Sequence, residues 1–344
     1  MLQGESGDLA RSNALYDNSV SVVVPTYNEQ AALPIFHGRL SAVLDTLNLD
    51  AQVIYVNDGS VDRTLDVIEE IRAQDARVAL VDLSRNFGKE VALTAGIDHA
   101  IGDVVIVIDA DLQDPPELIP ELLQRWREGY DVVYAKRTTR DGETMLKKVT
   151  AYMFYRLIRM VSRVNIPADT GDYRLLSRRA VESLRQLREQ HRFMKGLFAW
   201  IGFPQTFVLY RREPRFAGTT KWSYWHLWNF ALEGITSFTI APLKFATYIG
   251  LLTAIGAFLY GLYMIVRTIL YGNPVPGYPS LLVVVLLLGG MQLFSIGVIG
   301  EYLGRMFDET KRRPLYFLKA YQPSRAQIGT NERIGQDSSG DGEI

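Results

Sequence analysis

Two stretches near the C-terminal end of the chain carry no charged side chain, and they dictate the solvent in which that part can fold. Between Lys244 and Arg267 every residue is uncharged, and residues 245–266 are long enough at helical rise to cross a hydrocarbon core, which takes roughly 20 residues. A second uncharged run lies between Arg267 and Glu301. It is interrupted by Tyr271-Gly272-Asn273-Pro274-Val275-Pro276-Gly277-Tyr278-Pro279, a turn too rich in Gly and Pro for a helix, so residues 280–300 form the second predicted span. Arg211, Arg212, Arg215 and Lys221 precede the pair, while Lys311, Arg312, Arg313 and Lys319 follow it. The positive-inside rule then predicts an integral protein of an inner or plasma membrane with both termini cytoplasmic. A buried core hairpin is the competing reading, and the length of the two runs, with Tyr at their ends, speaks against it.

Upstream of the first span, Trp222-Ser223-Tyr224-Trp225-His226-Leu227-Trp228-Asn229-Phe230 is dense in aromatics whose apolar bodies and polar tips suit a headgroup layer. It is read as an interfacial helix within a juxtamembrane amphipathic segment, residues 216–242, with a packed core helix as the alternative. The hairpin covers 243–305 and a cytoplasmic tail 306–344. Gly289, Gly290, Gly297 and Gly300 would permit close helix packing, which leaves room for a homo-oligomer. Residues 1–18 are polar, lack the apolar core of a secretory signal, and are read as a disordered arm.

The remaining segment, 19–215, reads as a domain folded in water. Across all 344 residues, 37 Lys+Arg against 38 Asp+Glu leave a net charge of −1, which argues against a nucleic-acid binder. The absence of cysteine removes disulfides, thiolate nucleophiles and zinc–thiolate sites. Short β-branched runs at 21–24, 52–56, 78–81, 104–108 and 131–134 alternate with helical periodicity. Continuous apolar runs of this kind predict parallel strands covered on both faces, hence an α/β doubly wound fold with ligands at the carboxyl ends of the strands. Asp114-Pro115-Pro116-Glu117 reads as a helix start in which Asp114 is the N-cap.

Four of these runs lead into polar clusters: Pro25-Thr26-Tyr27-Asn28-Glu29, Asn57-Asp58-Gly59-Ser60-Val61-Asp62-Arg63-Thr64, Ser84-Arg85-Asn86-Phe87-Gly88-Lys89 and Asp109-Ala110-Asp111-Leu112-Gln113. They are expected to converge on one crevice. Asp109, Asp111 and Gln113 are hard oxygen donors suited to Mg²⁺ or Mn²⁺, an ion that takes one or two carboxylates plus substrate phosphates. Asp58 at a strand end is a fitting acceptor for a nucleobase N–H, Glu29 for ribose hydroxyls, and Gly88-Lys89 for phosphate at a helix start. Helix capping and plain turn punctuation are the alternatives for each.

These motifs resemble the family 2 glycosyltransferases of GT-A fold, and more narrowly the polyisoprenyl-phosphate glycosyltransferases, the group of dolichyl-phosphate mannose synthase and the bactoprenol glucosyltransferases. The resemblance runs on through Asp169-Thr170-Gly171-Asp172-Tyr173-Arg174-Leu175, Arg212-x-x-Arg215-x-x-Gly218-x-x-Lys221-Trp222 and Glu301-Tyr302-Leu303-Gly304-Arg305. Asn57 departs from the pattern, since the family commonly has a second Asp there; Thr220 replaces the more usual Ser.

The resemblance implies a Rossmann-like, mostly parallel sheet with helices on both faces, followed by the interfacial helix and two membrane helices. It implies inverting transfer of a sugar from a nucleotide donor to the phosphate of a membrane polyprenol. UDP-glucose is the favoured donor, ahead of GDP-mannose, UDP-N-acetylhexosamine and UDP-aminoarabinose. Pro25, Thr26, Tyr27, Glu29, Asp58, Gly88, Lys89, Asp109 and Ala110 would bind the nucleotide, and Asp109, Asp111 and Gln113 the metal. Asp169 and Asp172 are the candidates for an acceptor-side carboxylate, with Asp169 slightly favoured and Asp172 and Arg174 organising the site. A phosphate monoester with a second pKa of about 6 is already ionised at neutral pH, so a strong base is less necessary. Arg137, Arg212, Arg215 and Lys221 are the candidates for the acceptor phosphate.

Two rivals remain at this level. A processive polysaccharide synthase would carry Gln-x-x-Arg-Trp and more spans, whereas this chain has Gln124-Arg125-Trp126. A non-catalytic membrane module that binds nucleotide-sugars is opposed by the intact Asp109, Asp111 and Gln113.

Overall fold

The computed structural model describes residues 19–138, 170–212, 241–271 and 277–325. The expectations for Asp169, Arg215, Lys221, the arm 1–18 and the aromatic segment Trp222 to Phe230 lie outside the described residues.

Strands β1 (Ser19–Thr26), β2 (Asp50–Asn57), β3 (Val78–Leu83), β4 (Val104–Val107) and β5 (Val132–Arg137) form where the β-branched runs predict them. Helices α1 (Leu33–Thr46), α2 (Thr64–Gln74), α3 (Lys89–His99) and α4 (Ile119–Arg127) alternate with them. Beyond β5 come β6 (Thr170–Ser177), α5 (Arg178–Gln186), α6 (Met194–Trp200) and β7 (Gln205–Tyr210). The sheet runs β7-β5-β6-β4-β1-β2-β3-β8, where β8 (Leu318–Gln322) comes from the segment after the second apolar helix. Pairing is parallel at β1–β2, β1–β4, β2–β3 and β5–β7, and antiparallel wherever β6 or β8 takes part.

Successive side chains of a strand point to opposite faces, so a run buried throughout needs cover on both. Val22 and Val24 of β1 pack with Leu33, Phe36 and Leu40 of α1, while Val23 packs on the other face with Ala92, Leu93 and Ala95 of α3. Helix α3 comes so close that a Cβ on Gly96 would stand 2.2 Å from Val23 Cγ1. The strand order turns back between β1 and β4, which opens a crevice at their carboxyl ends.

Asp114 does not cap the helix that follows it. A short 3₁₀ turn, Pro116–Leu118, begins after Pro115 with no side-chain cap, and the Asp114 carboxylate points inward instead. Two successive prolines explain the difference, because neither has an N–H for a capping oxygen to accept from.

Helices α7 (Ala241–Tyr271) and α8 (Tyr278–Thr310) are both long and apolar enough to cross a membrane. They outrun the predicted spans. Tyr271 still closes α7, while Tyr278 and Pro279 open α8, where proline in the first turn loses no helical hydrogen bond. Leu252, Phe258 and Ile269 are each at least 70 % exposed, an apolar surface suited to lipid and not to water. The hairpin closes through contacts such as Thr253 Oγ1 to Met291 Sδ at 3.0 Å. Among the described residues, a Cβ on Gly289, Gly290, Gly297 or Gly300 would meet nothing within 4 Å.

From the last turn of α8 onward the chain returns to the sheet domain. Glu309 Oε1 accepts the N–H of Gln190 at 2.7 Å, Tyr316 donates its hydroxyl to Asp98 at 2.9 Å, and β8 adds an antiparallel edge to β3. The C-terminal end of the hairpin is thereby tied to the sheet that carries the crevice.

Candidate active site

The crevice is a cleft of about 340 Å³ lined at its first wall by Pro25, Thr26, Tyr27 and Glu29 from the end of β1. Asp58 comes from β2, Asn86, Gly88, Lys89 and Ala92 from the β3–α3 junction, and Asp109, Ala110 and Asp111 from the end of β4. All nine residues expected to bind nucleotide line this one cleft. Asn86 and Ala92 line it as well, without having been singled out.

Local geometry fixes each wall. Asn28 sits at φ 57°, which asparagine tolerates, and its Oδ1 accepts the N–H of Val61 at 2.9 Å, tying the loops after β1 and β2. Gly59 at φ 65° lets the next two loops touch, since a Cβ there would lie 2.5 Å from Arg85 C and Asn86 N. Asp58 Oδ1 accepts from Phe87 N at 2.7 Å and Oδ2 from Gly88 N at 3.0 Å. The carboxylate is therefore a brace for the β3–α3 loop. The departure at Asn57 also has its reason: Asn57 Nδ2 donates to buried Asp82 at 2.7 Å, where an aspartate would oppose a like charge.

At the centre stands Lys89. Its ammonium lies 2.7 Å from Asp109 Oδ2 and 2.6 Å from Asp172 Oδ2, bridging the wall built by β4 to the start of β6. Burial opposes the charge of Lys89, but Asp109 and Asp172 outweigh it and hold its pKa well above the usual lysine value. Burial likewise opposes the charge of Asp172, and Lys89, Lys195 and Arg174 together keep its carboxyl well below the usual range. Arg174 is buried, donates Nη2 to Gly171 O at 2.8 Å and Nε to Asp172 O at 3.2 Å, and stacks 3.8 Å over Phe198. It shapes the turn that presents Asp172.

Asp111 accepts the backbone N–H of Gln113 at 3.1 Å, across Leu112 at φ 61°, a conformation that leucine rarely adopts. Gln113 is not among the residues lining the cleft. Among the described residues no three acidic or histidine side chains cluster around one point. Two carboxylates on the cleft wall, Asp109 and Asp111, nevertheless match a hard cation that completes its shell with phosphate and water.

Arg137 and Arg212 are not among the residues lining this cleft; they lie at the ends of β5 and β7, around the buried Asp114. Burial and then Asp109 push the Asp114 carboxyl up to about 6, against the hydrogen bond from Tyr210.

Comparison with known proteins places this geometry. The pattern described as Glycosyl transferase family 2 matches residues 21–185, and that of the GtrB C-terminal hairpin matches 241–306. The chain is 48% identical over 300 residues to the prophage bactoprenol glucosyl transferase homolog of Escherichia coli, covering 87% of this chain and 98% of that one. The chain belongs to the family 2 glycosyltransferases. It is 54% identical over 299 residues to a glycosyltransferase of Synechocystis, covering 87% and 94%, and 48% identical over 301 residues to the bactoprenol glucosyl transferase of Shigella phage SfX, covering 88% and 99%. Among solved structures, a glucosyl-3-phosphoglycerate synthase from Mycobacterium tuberculosis aligns at TM-score 0.48 and 22% identity over 67% of this chain and 80% of that one.

One further group in the glycosyltransferase site escaped the sequence reading. Glu90 Oε2 accepts the N–H of Met194 at 3.3 Å, and burial followed by Asp172 pushes its carboxyl up to about 7, against Lys89 and Lys195. An acid raised from 4.5 to about 7 is protonated in the folded chain over a range where the unfolded chain has ionised it. The stability it contributes is full below about 4.5 and lost as pH rises through about 7. The melting temperature is expected to fall between about pH 4.5 and pH 7, and Glu90→Gln to flatten that fall; an unchanged slope in the variant would place the titration elsewhere. Its only sequence signal was the position directly after Gly88-Lys89.

Proposed function

We propose that this glycosyltransferase transfers glucose from UDP-glucose to the phosphate of a membrane polyprenol, with inversion at the anomeric carbon and release of UDP. The observation that carries this reading is near-full-length identity of 48% to proteins named bactoprenol glucosyl transferase, in a chain whose cleft joins two carboxylates and a bridged lysine. In this reading an acceptor phosphate oxygen forms the new bond to the anomeric carbon as the bond to the diphosphate breaks. A divalent ion, Mg²⁺ or Mn²⁺, held by Asp109 and Asp111 with Gln113 beside them, would supply positive charge against the leaving diphosphate. Lys89 adds a second positive centre between donor and acceptor. The acceptor phosphate arrives ionised, with a second pKa near ~6, so Asp172 serves by holding Lys89 and not as a strong base. Asp169 remains the alternative acceptor-side carboxylate. Arg137, Arg212, Arg215 and Lys221 are proposed to receive the acceptor phosphate, and the basic residues flanking the hairpin favour a cytoplasmic catalytic domain with cytoplasmic termini.

Detergent-solubilised full chain, incubated with Mg²⁺, undecaprenyl phosphate and radiolabelled UDP-glucose, GDP-mannose, UDP-N-acetylglucosamine or UDP-aminoarabinose, tests the donor. Label is expected to pass into organic solvent from UDP-glucose alone. Transfer from another donor would move the assignment to that sugar, and nucleotide binding without transfer from any of them would favour the binding-module reading.

A further inference from the structure

Asp114 is 1% exposed, a costly place for a carboxylate unless its surroundings have a use for the charge. Its Oδ1 accepts the hydroxyl of Tyr210 and lies 4.0 Å from Arg212 Nε, beyond hydrogen-bond reach. On its other side, a Cβ on Gly171 would stand 3.6 Å from Arg137 Nη2 and 4.0 Å from Asp114 Oδ2. Arg137 and the carboxylate thus converge on one patch of bare backbone. The frame behind them is rigid: Arg137 pairs in register with Tyr210 across β5–β7, and Thr138 N donates to Tyr210 O at 3.0 Å. Gly171 precedes Asp172, whose carboxylate reaches Lys89, so this cluster borders the donor cleft from the β5–β6–β7 side.

Asp114 thus joins the Tyr210 hydroxyl and the Arg212 guanidinium on one side to the backbone patch that Arg137 approaches on the other. Arg212 Nε is buried without a hydrogen bond among the described residues. Two guanidiniums gathered around one buried carboxylate suit a doubly charged phosphate, because arginine's fork binds it bidentately.

We propose that Asp114 and Tyr210 are positioning residues for the acceptor phosphate, holding Arg137 and Arg212 together beside Asp172 so that both guanidiniums meet it at once. The inference rests on the reading of Arg137 and Arg212 as acceptor-phosphate ligands. It assigns a task to an aspartate that the motif alone presents as a helix cap.

The test measures initial rates of the full-length enzyme in detergent, varying undecaprenyl phosphate at saturating UDP-glucose and then the reverse. Asp114→Asn and Tyr210→Phe are each expected to raise KM for undecaprenyl phosphate about ten-fold, equivalent to about 1.4 kcal/mol, with KM for UDP-glucose within about two-fold of the parent. Arg137→Ala and Arg212→Ala are run alongside and are expected to raise the acceptor KM at least as much. If the arginine variants raise it and Asp114→Asn and Tyr210→Phe do not, the positioning role falls and the acceptor site stands. If the arginine variants also leave it unchanged, the acceptor assignment falls and takes this inference with it. Equal rises in both KM values would mark a general disturbance of the domain and overturn the proposal. Should Asp114→Asn fail to fold, Tyr210→Phe decides alone, since it removes one hydroxyl and keeps the ring that meets Tyr173 edge-on at 6.4 Å.

Discussion

Lys89→Met is expected to cut sugar transfer by about two to three orders of magnitude, the usual cost of losing one donor aimed at developing charge. It is also expected to lower the melting temperature. The two effects have different origins, and a second substitution separates them. Lys89 is the cation between Asp109 at 2.7 Å and Asp172 at 2.6 Å, and the Asp172 side chain is only 12% exposed. Removing the ammonium leaves two carboxylates facing each other with less to offset their burial, and a buried charge stripped of its partner costs several kcal/mol, on the order of 3–5. Adding Asp172→Asn to Lys89→Met removes the stranded charge, so the double variant should regain much of the lost melting temperature while transfer stays low. Sugar transfer is followed by label in organic solvent, stability by thermal unfolding. A double variant no more stable than Lys89→Met would mean that the bridge does not couple the two residues.

That bridge shows where sequence reasoning reached and where it stopped. Lys89 was legible as a residue of the cleft because Gly88 and a helix start announce it, and Asp109 because it follows a buried strand. The contact of Lys89 with Asp172 was not legible, since Asp172 lies 83 residues beyond Lys89. The run from Thr170 to Ser177 mixes a polar motif with two leucines and was not among the runs read as strands, yet it pairs antiparallel between β4 and β5 and so brings Asp172 to Lys89. Pairing partners far apart in sequence supply the stability that local pattern does not reveal.

The same reasoning accounts for β8. Leu318-Lys319-Ala320-Tyr321-Gln322 has no strong local preference, and only the open edge of β3, together with Lys319 at 3.6 Å from Asp82, gives it a place. Asp58 is the reverse case. Its position at a strand end was read correctly, but both of its oxygens are engaged by backbone N–H groups, a demand set by the loop geometry around Gly59 and Gly88. Two apolar helices needed no such context, because the hydrocarbon core imposes its length requirement on the sequence directly.

Asp111→Asn is the second large effect expected, a loss of about two to three orders of magnitude in transfer with the fold intact. Asparagine keeps a carbonyl oxygen where Asp111 Oδ1 accepts the N–H of Gln113 at 3.1 Å, so the turn across Leu112 has its anchor in both proteins. What changes is one negative charge on the cleft wall. Asp111 shares that wall with Asp109, and two carboxylates there suit a divalent ion that completes its shell with phosphate. The variant should therefore need a higher Mg²⁺ or Mn²⁺ concentration for its residual transfer, while its melting temperature stays within a few degrees of the parent and UDP still binds in the presence of a chelator. Full turnover by Asp111→Asn at the parent's metal requirement would remove Asp111 from the metal site. A variant that instead lost UDP binding under chelation would show that the carboxylate acts on the nucleotide directly.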